Sequence, residues 1–236
     1  MSRPVPELDI VVPVYNEAAT IAGTLRAIFA VVSPLATHRF VVVEDRGTDG
    51  TREVLQALQA ELVITISSAD HRRGYTRALK DGLLMTVAPF VLCIDGDGQF
   101  NPADIARLWA LRDEADIVSG CRVDRAEGIG RRFGSRLFGA VLRTAFPIPA
   151  TDPSSSLVLM RRAAVARLWP QVGFLPEAFW WEFRVLAHRF DCSSKEMAVR
   201  HYPRSTGTTQ IFTAARMPGV IWRQARGLMR MLKSPR

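Results

Sequence analysis

Two carboxylates lie two residues apart in Asp95-Gly96-Asp97-Gly98-Gln99, directly after an apolar run at 89–94. Glycines between and behind the acids let the backbone bend both carboxylates around one hard cation. Mg2+ and Mn2+ prefer oxygen ligands and commonly bridge protein carboxylates to substrate phosphates. The Gln99 amide oxygen is a candidate third ligand beside Asp95 and Asp97. Read alone, the pentapeptide is equally well an Asp-Gly turn. Polar groups behind two other apolar runs favour a site: Tyr15 and Glu17 follow 8–14, and Glu44 and Asp45 follow 40–43. Tyr15 can stack on a base, Glu17 can accept from a ribose or base donor, and Asp45 can accept the ring N–H of uracil or guanine. Asn16 also suits a helix cap, and Asp49 and Thr51 read as turn and cap residues.

Strands must carry those groups. Residues 8–14, 40–43, 62–67, 89–94 and 116–120 are apolar and mostly β-branched, as buried strands are. Helical spacing runs between them: 17–32 through Ile21, Leu25, Ile28 and Phe29, then 51–62, and 75–87 through Leu79, Leu83 and Val87. A further helix follows Pro102, which suits a first turn. This alternation predicts an α/β fold with a mostly parallel sheet and helices on both faces. Ligands in such sheets bind at the carboxyl ends of the strands, where Tyr15, Asp45 and Asp95 fall. Past residue 122 the pattern changes. Residues 128–149 mix Arg with Phe and Leu, 155–160 and 195–199 predict strands, 176–190 an aromatic helix, and 211 onward a last helix. There is no internal repeat.

At 236 residues, 48% hydrophobic and 23% charged, the chain fits one α/β domain with a modest extension. Its three cysteines match no metal motif; Cys93 and Cys121 read as small buried hydrophobes, in keeping with a reducing, cytoplasmic setting. The histidines at 71, 188 and 201 form no ligand set and read as structural, with His201 a candidate lining of the acceptor site. No signal peptide and no apolar stretch long enough to span a bilayer is visible. From Arg200 to residue 236 there are eight Lys/Arg and no acid, which equals the whole net charge of +8. Arg216, Arg223, Arg226, Arg230 and Lys233 recur at helical spacing, with Met217, Ile221, Leu228 and Leu232 on another side. Such a helix suits an anionic membrane surface. Nucleic acid would answer the same charge, but the Met, Trp222 and Leu content favours a membrane. A helix packed on the body, or on a separate membrane-anchoring protein, is the plainer alternative.

The ordered set VPVYNE at 12–17, EDRGTDGT at 44–51, GYTRALKDGL at 74–83 and DGDGQ at 95–99 resembles the inverting family 2 glycosyltransferases over residues 8 to about 120. The resemblance implies a nucleotide-binding α/β fold of the A type. It also implies nucleotide contacts by Pro13, Tyr15, Glu17, Asp45 and Asp95, and Mg2+ or Mn2+ at Asp95, Asp97 and Gln99. One departure is Arg46, which stands where the family's Asp-Asp-Gly-Ser pattern has Gly. It either contacts a phosphate or pairs with Asp49.

Within that family the second half is similar to the polyprenyl-phosphate sugar transferases of the dolichyl-phosphate mannose synthase kind. The matching residues are Gly120-Cys121-Arg122, the Arg131-Arg132 stretch, Asp152 to Ser156, and His201 to Thr208. The resemblance implies that Arg122, Arg131 or Arg132, and Arg204 approach phosphate groups. A phosphate monoester, with a second pKa of about 6, needs cations and no base, whereas a hydroxyl acceptor needs a base. Asp152 or Glu182 is the candidate base in that second case. Residues 133–148 either admit a lipid chain at the interface or form a core helix. The expected organisation is one catalytic domain at 1–209, divided into a nucleotide-sugar and metal half at 8–120 and an acceptor half at 121–209, followed by a basic helix at 210–236. The expected function is transfer of a hexose from a GDP- or UDP-sugar to a polyprenyl phosphate, with Asp97, Arg122 and Arg204 central. The protein would act peripherally on the inner face of the cell membrane. Transfer to a saccharide or protein hydroxyl is the alternative, and a non-catalytic adaptor is a third.

Overall fold

In the computed structural model, residues 5–123, 139–140, 142–203 and 217–233 are described. The elements are β1 (Leu8–Val14), α1 (Ile21–Val32), β2 (His38–Glu44), α2 (Thr51–Leu58), β3 (Ile64–Ser68), α3 (Tyr75–Leu84), β4 (Phe90–Cys93), α4 (Ala103–Ala110), β5 (Ile117–Arg122), β6 (Val158–Arg161), α5 (Arg162–Leu168), α6 (Phe179–Arg189), β7 (Ser194–Val199) and α7 (Met217–Lys233). Seven strands form one sheet in the order β3-β2-β1-β4-β6-β5-β7. All pairings are parallel except those of β6, which runs antiparallel to both β4 and β5. Inserting β6 between β4 and β5 brings the 152–156 turn to the carboxyl ends of its neighbours. The periodicity expected a strand there but could not set its direction.

All seven residues of β1 are buried, since it lies inside the sheet with helices over both faces. One face packs Ile10, Val12 and Leu92 against Ile21, Leu25 and Ile28 of α1 and Leu55 of α2. The other packs Val11, Val41 and Val91 against Leu79 and Leu83 of α3 and Phe179 and Phe183 of α6. Fully burying each such side chain contributes about 1.5–3 kcal/mol. Helix α1 begins at Ile21, four residues later than its periodicity suggests, after a turn in which the Thr20 and Ile21 amides both donate to the Glu17 carbonyl and Thr20 takes a φ of −117°.

A third core cluster joins Leu142, Phe146 and Ile148 to Leu175, Trp181, Val185 and Met231. Of the two readings of 133–148, the core helix fits these described residues, Leu142, Phe146 and Ile148, while Arg143 and Thr144 beside them are exposed. Helix α7 docks through Val220, Gln224, Gly227 and Met231, all buried. Ile221 and Leu232, expected on an apolar face of the helix, are on the surface with Trp222 and Met229, between 52% and 61% exposed. The helix therefore has three stripes: one docked, one apolar and exposed, and one carrying Arg223, Arg226, Arg230 and Lys233. No described helix is long and apolar enough to cross a membrane.

At Gly227 the α7 backbone meets the Phe174 carbonyl so closely that a Cβ would overlap it. Gly227→Ala gains helix propensity of about 1 kcal/mol yet must lift α7. We expect a net loss of about 2 kcal/mol in urea unfolding, from lost burial of Val220 and Met231.

Candidate active site

Strand β4 ends at Cys93, and pairing with β1 stops at Val11↔Cys93. Pro13, two residues on, has no N–H for a ladder, so the chain after β4 peels away. Gly96 then packs on β1 and α1: a Cβ there would lie 2.7 Å from Val14 Cγ1 and 3.0 Å from Ile21 Cδ1. Only glycine allows this approach, and it leaves Asp95 and Asp97 flanking a buried pivot. Gly98 takes a left-handed φ of 71°, and the Gln99 amide donates back to Asp97 Oδ1 at 3.1 Å.

Asp95 is held from two sides. Tyr75 Oη donates to Oδ1 at 2.8 Å, and Ser156 Oγ donates to Oδ2 at 2.6 Å. Trp180 Nε1 in turn donates to Tyr75 Oη at 2.9 Å. Burial, reinforced by the Asp95 charge, pushes the Tyr75 hydroxyl well above the usual phenol range, so it stays a neutral donor. The relay ties α6, α3, the acidic turn and the loop before β6 into one unit. Of these partners, Trp180 and Tyr75 carry no signal as site residues in the sequence beyond an aromatic helix and a resemblance stretch.

Asp45 is buried, and its carboxylate accepts the Arg73 and Gly74 amides at 2.7 and 2.8 Å. It anchors the 71–74 loop. Arg72, brought in by that loop, lies over the Tyr15 ring at 3.9 Å from its centroid and covers the face expected to stack on a base. Glu17 is fixed by its amide on Thr51 Oγ1 and by Thr20 Oγ1 on its carboxylate, both at 2.9 Å. Asp49 accepts from the Ala18 amide and from both donors of Thr51, as a turn residue does. Burial works to raise its pKa, but the Thr51 hydroxyl and the backbone amides outweigh it and hold the carboxyl low. Arg46 is exposed, takes a left-handed φ of 59°, and makes no ion pair with Asp49 among the described residues.

On the acceptor side, Arg122 at the end of β5 grips Asp152 with Nε at 2.7 Å and Nη2 at 3.0 Å, and Nη2 also reaches Ser154 Oγ at 2.8 Å. Asp152, 2% exposed, is thus a bidentate partner of arginine. Glu182 is fully buried and takes the amides of Gly173, Phe174 and Leu175 at 2.6, 2.9 and 2.7 Å. Burial raises its pKa against the pull of those three donors. It clamps the 173–175 loop. Arg131, Arg132 and Arg204 lie outside the described residues. Gln99 straps the acidic turn to Tyr202: its Nε2 donates to the Tyr202 carbonyl at 2.9 Å, and its own carbonyl accepts the Tyr202 amide at 2.7 Å. Its Oε1 is the atom this leaves for a cation. His201 packs edge-on against Phe100, next to that strap.

Among the described residues no three or more His, Cys, Asp or Glu side chains converge as a metal cage. Two carboxylates at a strand end do fit Mg2+ or Mn2+, which keep positions for phosphate oxygens. An open cleft of ≈ 360 Å³ runs from Asp95 and Asp97 along Thr20, Gly23 and Thr24 to Phe100 and Tyr202.

The mostly parallel sheet with an acidic turn at its carboxyl edge is the glycosyltransferase A-type fold. The chain belongs to glycosyl transferase family 2, whose family model matches residues 9–169. It is 27% identical over 215 residues to an undecaprenyl-phosphate 4-deoxy-4-formamido-L-arabinose transferase of Pseudomonas savastanoi pv. phaseolicola, covering 88% of this chain and 61% of that protein. It is 24% identical to the protein of the same name from Yersinia pestis, covering 89% and 64%. The chain thus spans under two thirds of the length of these relatives. Among solved structures, a Pyrobaculum calidifontis mannosyltransferase in complex with GDP-Man and Mn2+ superposes with a TM-score of 0.67 at 21% identity, covering 99% of this chain and 66% of that one. Glucosyl-3-phosphoglycerate synthase of Mycobacterium tuberculosis, in complex with Mn2+, UDP and phosphoglyceric acid, gives 0.68 at 20%, covering 98% and 80%. At these identities the structural likeness establishes the fold.

Two substitutions probe the Asp95 setting. Tyr75→Phe leaves the buried Trp180 N–H without an acceptor, which costs about 1–3 kcal/mol in urea unfolding. Gly96→Ala forces the acidic turn off β1 and should weaken Mn2+-dependent nucleotide binding by about tenfold or more in calorimetry.

Proposed function

We propose that the protein transfers a hexose from a GDP- or UDP-sugar to a polyprenyl phosphate at a membrane surface, with inversion at the anomeric carbon. The carrying observation is the loop 152–156. Its Ser156 bonds the acidic turn at Asp95, while its Asp152 and Ser154 hold Arg122. One short loop therefore links the carboxylates suited to a donor diphosphate with the arginine suited to a second phosphate. Similarity to undecaprenyl-phosphate transferases supports the choice of lipid acceptor.

The bond changes are few. An oxygen of the acceptor phosphate attacks the anomeric carbon, the bond from that carbon to the β-phosphate oxygen breaks, and the nucleoside diphosphate leaves with the electron pair. The acceptor is already ionised, so no base is consumed, in keeping with the engagement of Asp152 and Glu182 elsewhere. Asp95 and Asp97 would hold Mg2+ or Mn2+, which offsets the charge of the leaving diphosphate when bound. Arg122 orients the acceptor phosphate, and Arg131 or Arg132 and Arg204 are assigned to the same task on sequence grounds. Pro13, Tyr15, Glu17 and Asp45 frame the nucleotide, with Arg72 turning off the Tyr15 ring to admit the base. The exposed apolar and basic stripes of α7 suit peripheral contact with an anionic bilayer.

The assay combines purified protein, Mn2+ or Mg2+, a panel of nucleotide sugars and a polyprenyl phosphate. Lipid-linked sugar is expected, with loss on chelation and a fall of about a hundredfold or more in Asp97→Ala. Product with a saccharide acceptor but none with the lipid phosphate would overturn the acceptor assignment.

A further inference from the structure

Arg184 has no role in the site as described so far. It lies on α6 one turn after Trp180, hence on the same helix face. It is 5% exposed, and its Nε, Nη1 and Nη2 have no hydrogen-bond partner among the described residues. Burial lowers its pKa to about 10, opposed by the charges of Glu196 and Asp152, so it is cationic at neutral pH. Both carboxylates are within electrostatic reach, yet neither is bonded to it. Asp152 is occupied by Arg122. Glu196 accepts the Thr151 and Asp152 amides at 2.8 and 3.2 Å. In the same loop, Ser155 Oγ is fully buried and likewise without a partner among the described residues.

A buried cation with five idle donors is costly, and a native structure retains one only for a reason. As a permanent ion pair it would be bonded to one of the two acids, which it is not. Arg122, Arg184, Asp152 and Glu196 together are neutral. Were Arg122 to leave Asp152 for an anionic ligand with Arg184 absent, the buried Asp152 carboxylate would lose its bidentate cation with none in its place from Arg184. With Arg184 present, Asp152 has a replacement waiting.

We propose that Arg184 is the reserve partner of Asp152: when the phosphate of the acceptor arrives, Arg122 turns from Asp152 to the phosphate, and Arg184 takes over the vacated carboxylate. Arg184 is thus a positioning residue that acts through Asp152 and sets how readily Arg122 is released. The inference rests on the reading of Arg122 as a phosphate contact.

The test is a charge-exchange cycle with geranyl phosphate as the probe, measured by calorimetry on the full chain. Arg184→Met should weaken binding about tenfold, within the usual range of couplings between contacting charges. Adding Asp152→Asn to Arg184→Met should restore the affinity to wild type or tighter, because no carboxylate then needs a replacement cation. Arg184→Lys, which keeps the charge, should lose less than Arg184→Met. Wild-type affinity in Arg184→Met would reduce Arg184 to packing and overturn the proposal. Failure of Asp152→Asn to rescue would mean that Arg184 touches the phosphate itself, and would also overturn it. Should Arg184→Met not fold, Asp152→Asn is compared with the double variant, which removes one charge of each sign. Equal affinities uphold the proposal, and a further loss in the double variant defeats it. If the wild type binds no geranyl phosphate, the acceptor reading fails and this proposal with it. If the wild type binds but the cycle shows no coupling, only the reserve partner is lost.

Discussion

The Asp95 carboxylate is where the halves of the protein are joined. It stands at the end of β4 and accepts Tyr75 from α3 and Ser156 from the loop before β6, with Trp180 of α6 behind Tyr75. Four elements distant in sequence thus meet on one ionised group, whose hydrogen bonds are stronger than neutral ones. The arrangement is possible because Gly96 lets the turn sink against β1 and because β6 runs antiparallel, delivering its preceding loop to the same edge. Hold Asp95 in place and the acidic turn, the aromatic relay and the arginine loop share one frame.

The other buried acids act in the same way on a smaller scale. Asp9, fully buried at the amino end of β1, accepts Arg39 and the amides of Val87 and Ala88, fixing the turn from α3 into β4. Asp45 pins the 71–74 loop, and Glu182 pins 173–175. In each case a carboxylate saturates backbone donors that the core would otherwise leave unpaired. Loops beside the site are therefore as determined as the helices. A cluster in which the donors outnumber the bonds, as around Arg184, stands out against this background.

The first half was largely legible because its code is local. Apolar runs such as Leu8–Val14 and Phe90–Cys93 can hardly be other than buried strands, and acids directly behind them fall at the carboxyl edge by construction. The Asp-Gly-Asp spacing, Asp49 and Thr51 were readable for the same reason. The second half was less so. Arg, Phe and Leu in 133–148 looked like an interface, yet Leu142, Phe146 and Ile148 are interior, since α6 and α7 cover them. In α7 the spacing of basic residues was visible, but the choice of which apolar stripe docks turned on Gly227 and Phe174, which no periodicity links.

By itself, then, the sequence determined the alternation of strands and helices, the acidic turn, the polar residues at the carboxyl edge beside it and the basic excess of the tail, because each is written in neighbouring residues. Tertiary structure alone decided the partners. It matched Asp152 to Arg122 and Glu182 to three amides, and it placed Tyr75, Trp180 and Ser156 around Asp95. It also left Arg184 buried without a bonded partner. These pairings join residues 7 to 105 positions apart, and which donor reaches which acceptor depends on how the sheet brings them together.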